Sequence, residues 1–75
     1  MIDAYTLELC KNDKEILQIK IINVEHAIQQ SEAMIVESQM DDAALAFLRR
    51  KIADSIQDLE VLYLLKQEQQ ESGNE

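Results

Sequence analysis

The chain has 75 residues and a net charge of −8, with no proline, one glycine and one cysteine. A chain of this length builds one small domain, whose core contributes only about 3–5 kcal/mol without a further constraint. The single cysteine excludes an internal disulfide framework, and the Cys and His spacing of a zinc site is absent. The constraint that remains is association with another chain.

Charge and hydropathy exclude two classes of partner. The one dense basic cluster is Arg49-Arg50-Lys51, which is too small for a nucleic-acid-binding face. Unbroken apolar runs such as Val61 to Leu65 and Ala43 to Leu48 are short, whereas a membrane-spanning helix needs about 20 apolar residues. The first residues lack the basic and apolar segments of a secretory signal. We therefore predict a cytoplasmic protein that binds neither nucleic acid nor membranes.

The first half of the chain predicts a helix over about 3–38. No glycine or proline interrupts it, and mostly apolar residues recur every three or four positions, which places them on one side of a helix. Asn12 and Glu15 have the spacing of a capping box, so a separate short helix over 3–11 is the alternative. The mostly apolar residues on one side of this helix form a stripe, which consists of Leu7, Cys10, Lys14, Leu17, Ile21, Val24, Ile28, Ser31, Ile35 and Ser38.

The second half predicts a helix over about 42–67 whose stripe is out of phase with the first. A break is therefore needed near 38–42, where Asp41 or Asp42 can cap the new helix. We predict an all-α fold, a two-helix antiparallel hairpin over 1–67 with a flexible polar tail at 68–75, completed by oligomerisation or by a partner. A continuous helical rod is the alternative. The second stripe consists of Leu45, Leu48, Ile52, Ile56, Leu59 and Tyr63.

Several apolar residues are left over when the two stripes face each other. They would form exposed patches on a hairpin, and such patches mark association sites. An alternative for the first helix is that Ile19 or Ile22 packs on Tyr5 and Leu9, which would give a three-helix monomer. The predicted partner-binding residues are Ile19, Ile22, Phe47, Val61, Leu64 and Leu65.

Side chains suited to catalysis are scarce. His26 lacks an oriented partner and Cys10 lies on the apolar stripe without an activating neighbour. Gly73 alone cannot build a phosphate-binding loop. We therefore predict no enzyme, cofactor, metal site or small-molecule substrate. Negative charge concentrates toward the predicted turn, where it could attract a basic partner or only keep the protein in solution; these acids are Glu25, Glu32, Glu37, Asp41 and Asp42.

The segment from Lys51 to Tyr63, KIADSIQDLEVLY, together with the short length and the acidic two-helix layout, resembles the small YscE-type co-chaperones of type III secretion systems. The resemblance covers about residues 14–66. It implies a helical hairpin that binds and stabilises a tetratricopeptide-like chaperone, and a complex that keeps the needle subunit unpolymerised in the bacterial cytosol. The exposed apolar residues would then form the chaperone-binding surface.

Three functional hypotheses follow. The first is a co-chaperone or adaptor that packs its apolar residues into a helical partner. The second is a self-sufficient homodimer, in which two hairpins form a four-helix bundle with a regulatory role. The third is an acidic phage-type inhibitor that occupies the basic cleft of a nucleic-acid-binding protein. The leftover apolar residues favour the first two hypotheses, since the third leaves them unused.

Overall fold

A computed structural model describes the backbone of residues 2–73 and the side chains of residues 2–70. This part of the chain forms three helices and no strand: α1 (Ala4–Asn12), α2 (Lys14–Glu37) and α3 (Asp42–Gly73). The predicted all-α class is therefore confirmed. The prediction of one unbroken helix over 3–38 is wrong, and the alternative with a separate short N-terminal helix is the arrangement observed.

The break between α1 and α2 lies at Asp13. This residue is extended, with φ −141° and ψ 113°, and its carboxylate accepts hydrogen bonds from the backbone N–H groups of Glu15 (2.9 Å) and Ile16 (3.4 Å). Satisfying these N–H groups stabilises the start of a new helix. The predicted cap, Asn12, is instead the last residue of α1.

Asp3 performs the same role at the start of α1. Its carboxylate accepts a 2.7 Å hydrogen bond from the backbone N–H of Thr6. Hydrogen bonds from Thr6 stabilise the ionised carboxylate and so lower the pKa of Asp3. At the third helix Asp41, the first of the two predicted candidates, accepts from the N–H of Ala44 at 2.8 Å.

The third helix continues to Gly73, beyond the end predicted at 67. No glycine or proline precedes Gly73 in this segment, so nothing in the local sequence stops the helix earlier. The half-buried Gln69 also contacts α1 through its side chain. That residues 68–75 are flexible stays a prediction, and 74–75 lie outside the described residues.

The core lies where all three helices meet. Its buried side chains are Cys10 of α1, Leu17 and Ile21 of α2, and Leu62 and Leu65 of α3. Burial of each such aliphatic side chain contributes about 1.5–3 kcal/mol. The stripe predicted on α2 is confirmed from Leu17 to Ile35, while its two polar ends, Lys14 and Ser38, are exposed. The half-buried members after Ile21 are Val24, Ile28, Ser31 and Ile35.

The stripe predicted on α3 is partly wrong. Ile56 and Tyr63 are both 44% exposed, whereas Leu62 is completely buried. Half-buried Ser55 occupies the position that the prediction gave to Ile56. The sequence analysis chose the apolar Ile56 for the buried side because the residue that lies there, Ser55, is polar. The buried or half-buried residues along this side of α3 include Leu45, Leu48, Ile52, Ser55, Leu59, Leu62, Leu65 and Gln69.

Candidate protein-binding surface

Five of the six predicted partner-binding residues are exposed. The sixth, Leu65, is only 8% exposed and packs in the core with Cys10, Leu17 and Leu62, so it is not available to a partner in this fold. The pattern of α3 misled the prediction, because apolar residues from Val61 to Leu65 occur on all sides of the helix and the sequence alone does not show which side the other helices cover. The exposed fractions of the other five are Ile19 58%, Ile22 42%, Phe47 62%, Val61 41% and Leu64 60%.

Ile19, Ile22 and Val36 form what we call the α2 surface. Ile22 and Val36 are two heptads apart, which places them on one side of the helix, and Ile19 lies next to this side. All three side chains are exposed, whereas Leu17 and Ile21 are buried. Val36 is the most exposed of the large apolar side chains, and sequence reasoning missed it.

The first helix does not cover the α2 surface. Tyr5 and Leu9, which the three-helix alternative paired with Ile19 or Ile22, are themselves exposed. Instead α1 packs through Cys10 and the half-buried Leu7. The third helix of that alternative is present, and Ile19 and Ile22 remain 58% and 42% exposed beside it.

Phe47, Val61 and Leu64 form what we call the α3 surface. Phe47 and Val61 are two heptads apart and Leu64 follows Val61 by three residues, and all three are exposed, whereas Leu62 is buried. Lys51 covers part of Phe47, with its ammonium nitrogen 5.8 Å from the ring centroid. Such a cation–π contact contributes about 0.5–1 kcal/mol at an exposed site.

The acidic residues near the turn are not equivalent. The half-buried Glu25 accepts a 2.8 Å hydrogen bond from the Tyr63 hydroxyl, which joins α2 to α3. This bond, together with the negative charge of Glu25, favours the neutral phenol and raises the pKa of Tyr63. Asp41 is the cap of α3. Two of the five acids therefore have structural roles, while Glu32, Glu37 and Asp42 are exposed.

The two residues considered for catalysis are placed apart. Cys10 is completely buried, and this burial raises the pKa of its thiol, whereas His26 is exposed on α2. Among the described residues no group of three or more His, Cys, Asp or Glu side chains is arranged to hold a metal ion.

An open cleft that the sequence did not predict lies between α2 and α3 near the end of α1. Two lysines, Lys14 and Lys66, line it together with Leu17 and glutamines of both helices. One of those glutamines, Gln69, already donates its side-chain N–H groups to α1 carbonyl oxygens. Nothing in the described part of the chain assigns a ligand to this cleft.

Comparisons with protein-family models, with curated proteins and with solved structures found no significant match. Within residues 2–73, no helix has the length and apolar character that crossing a membrane requires.

Proposed function

We propose that this chain is a small acidic helical protein-binding module, of the co-chaperone or adaptor type, that stabilises a helical partner. The observation that carries the proposal is the exposure of large apolar side chains on both long helices, while few side chains are fully buried. A small core limits the stability of the isolated chain, and exposed apolar area is what a partner can cover.

The proposal includes an antiparallel hairpin of α2 and α3. Glu25 contacts Tyr63, whereas Leu17, earlier in α2, lies in one cluster with Leu65, later in α3. This order of contacts supports antiparallel packing of the two helices. The short connection at 38–41 suits such neighbours.

The specific form of the proposal is a co-chaperone similar to the YscE type, acting in the bacterial cytosol on a tetratricopeptide-like chaperone. An apolar helix face packed into the groove of a helical repeat protein is a common mode of recognition. The exposed α2 and α3 surfaces support it. An inhibitor that acts mainly through its acids is less well supported, because Glu25 and Asp41 already bind within the chain.

Co-expression with the tetratricopeptide-like chaperones of the source genome tests the proposal. We expect a stoichiometric complex by size exclusion with light scattering. Ile19→Ser with Ile22→Ser should weaken it at least about tenfold, since exposed apolar residues in a groove dominate such interfaces. The matched control is Tyr5→Ser with Leu9→Ser, which removes two exposed apolar side chains from α1. Absence of a complex with every such chaperone, or equal loss in both variants, would contradict the proposal.

A further inference from the structure

The first helix depends on the rest of the molecule for its stability. It has 9 residues, whereas an isolated helix shorter than about 12–15 residues is only marginally stable in water. Its buried Cys10 packs in the core, and Gln69 of α3 donates hydrogen bonds to carbonyl oxygens at its end. We call the core residues of α2 and α3 that share a cluster with Cys10 the α1 groove; they are Leu17, Ile21, Leu62 and Leu65.

Only Asp13 separates α1 from α2, and its backbone already makes the hydrogen bonds of a helix. Its N–H donates to the carbonyl oxygen of Leu9 at 3.0 Å, and its carbonyl oxygen accepts from the N–H of Leu17 at 3.1 Å, each across four residues as in an α-helix. The break consists of its φ of −141° and ψ of 113°, which are far from helical values. A change of these two angles at one residue therefore joins α1 and α2 into a single helix.

The sequence over 4–37 is compatible with such a continuous helix. It contains no glycine or proline, and the spacing of three and four residues continues across the break, from Cys10 through Lys14 to Leu17. Two features oppose the continuous helix. They are the side chain of Asp13, which caps α2, and the burial of Cys10 in the α1 groove. The α1 groove of a second copy would restore that burial.

Straightening the break leaves two complementary surfaces uncovered on the same chain. Cys10 would lie about 10 Å along the helix from Leu17, so α1 would leave its own groove. Every residue after Leu65 is polar or glycine, so the end of the chain offers no apolar side chain that could replace either surface. A second straightened copy offers both, because its α1 fits the empty groove and its groove fits the free α1.

The two copies are related by a two-fold axis that passes beside the break. Cys10 lies three residues before Asp13, and Leu17 lies four residues after it. When two straightened helices lie antiparallel with the axis between Asp13 and Lys14, Cys10 of one copy is level with Leu17 of the other. The packing of α1 on α2 within one chain is thereby replaced by the same packing between chains, once on each side of the axis.

We infer that α1 is an exchangeable helix, and that this chain forms a two-fold dimer in which each α1 fills the α1 groove of the other copy. Such an exchange builds the dimer from packing that the monomer already has, with the loss of the Asp13 cap. This inference goes beyond the proposed function and does not depend on it.

Two substitutions at the break should shift the exchange in opposite directions. Asp13→Ala removes a cap that only the folded-back form uses. It should raise the dimer association constant about tenfold or more, since each dimer contains two breaks. Lys14→Pro should abolish the dimer while preserving the monomer. Proline is favoured at the first residue of a helix and favours an extended residue before it, but it breaks a helix that continues through it.

Light scattering after size exclusion, over a wide range of concentrations, measures association of the full-length variants. The wild type is expected to shift from monomer toward dimer as the concentration rises. Asn12→Ala is the matched control, because this residue is helical in both forms, and the association constant should stay within about threefold of the wild type. Circular dichroism on the same samples checks that helix content is preserved.

A cross-link identifies which chain fills each groove. Gln69 binds the carbonyl oxygen of Lys11, so Lys11→Cys and Gln70→Cys place two exposed thiols on neighbouring parts of α1 and α3, while Cys10 is buried. Both changes are made in the Asp13→Ala protein. A short bismaleimide should join the thiols within one chain in the monomer fraction and between two chains in the dimer fraction. Denaturing electrophoresis distinguishes the two products by mass.

Three results would overturn the inference. They are a monomer of Asp13→Ala at every concentration, a dimer of Lys14→Pro as stable as that of the wild type, and a dimer fraction whose cross-links all lie within one chain. None of them bears on the co-chaperone proposal, which is measured with a different protein.

Discussion

The side-chain amide nitrogen of Gln69 donates a 2.7 Å hydrogen bond to the carbonyl oxygen of Cys10, which lies 59 residues earlier in the chain. A second bond of 3.2 Å reaches the carbonyl of Lys11. These carbonyls belong to the last turn of α1, where a helix leaves its C=O groups without internal partners. The Gln69 side chain of α3 thus provides hydrogen-bond donors for carbonyl groups at the end of α1 and holds this helix against the core.

Replacing Gln69 should therefore loosen α1. We expect Gln69→Ala to lower the free energy of unfolding by about 1–2 kcal/mol, because a part-buried hydrogen bond is lost and two carbonyls lose a partner. Gln67→Ala, two residues earlier at an exposed position, is the control and should have little effect. Urea denaturation followed by circular dichroism measures both. Equal stability of the two variants would show that the Gln69 bonds contribute nothing.

The bond between Tyr63 and Glu25 should be visible in a tyrosine titration. In a Tyr5→Phe background, Tyr63 is the only tyrosine, and its absorbance should titrate above the usual pKa of about 10. A pKa raised by folding contributes stability below the unfolded value that is lost as the pH rises through the folded value. We therefore expect stability to fall at strongly alkaline pH.

Glu25→Gln provides the control for this titration. It removes the negative charge while keeping a side-chain oxygen that can accept from the Tyr63 hydroxyl, so the pKa of Tyr63 should move back toward the usual value. If the titration does not move, Glu25 is not the cause of the raised pKa.

Adjacent leucines on α3 should respond differently to the same change. Leu65→Ala removes a side chain that packs on Cys10 and Leu17, and should cost about 2–5 kcal/mol, as other core truncations do. Leu64→Ala changes an exposed side chain and should cost less than about 1 kcal/mol in the monomer. Denaturation at low protein concentration, where dimers do not contribute, measures the difference. Similar costs would place both leucines in equivalent surroundings.

The sequence predicted the helical class, the break near the turn and the buried side of α2. It succeeded there because apolar residues recur along α2 with few polar interruptions, from Leu17 to Ile35. It failed on α3, where Ser55 occupies an inward position and apolar residues occur on several sides of the helix. Periodicity alone could not choose between Ile56 and Ser55, or between Leu64 and Leu65, because which side is buried depends on the neighbouring helix.

The surface residues were predictable for a different reason. Residues such as Ile19 and Phe47 lie outside the two stripes that the sequence predicted to be buried, and both are exposed. Val36 was not predicted because it lies near the end of α2. The prediction of Ile19 and Ile22 rested on a densely apolar segment earlier in the helix. The hydrogen bond from Gln69 to α1 could not be predicted from local sequence patterns, because Gln69 and Cys10 are 59 residues apart in the chain.

The choice between two possible caps at the start of α2 can be tested directly. Asp13→Ala removes the acceptor of the Glu15 and Ile16 N–H groups and should cost about 1 kcal/mol of stability. Asn12→Ala, in the last turn of α1, should be neutral or slightly stabilising, because alanine has the higher helix propensity. Thermal unfolding by circular dichroism compares them. A larger loss for Asn12→Ala would restore the cap predicted from the sequence.

Cys10 provides a reporter for the docking of α1. Its thiol is the only one in the chain, it is completely buried, and burial raises its pKa, so the thiolate that reacts with alkylating reagents is both rare and shielded. Labelling in native conditions should therefore proceed only through opening of α1 or unfolding. Gln69→Ala should accelerate labelling by about tenfold, in line with its expected loss of stability, while Gln67→Ala leaves the rate unchanged. Labelling of the wild type as fast as that of the urea-unfolded chain would mean that α1 does not stay docked.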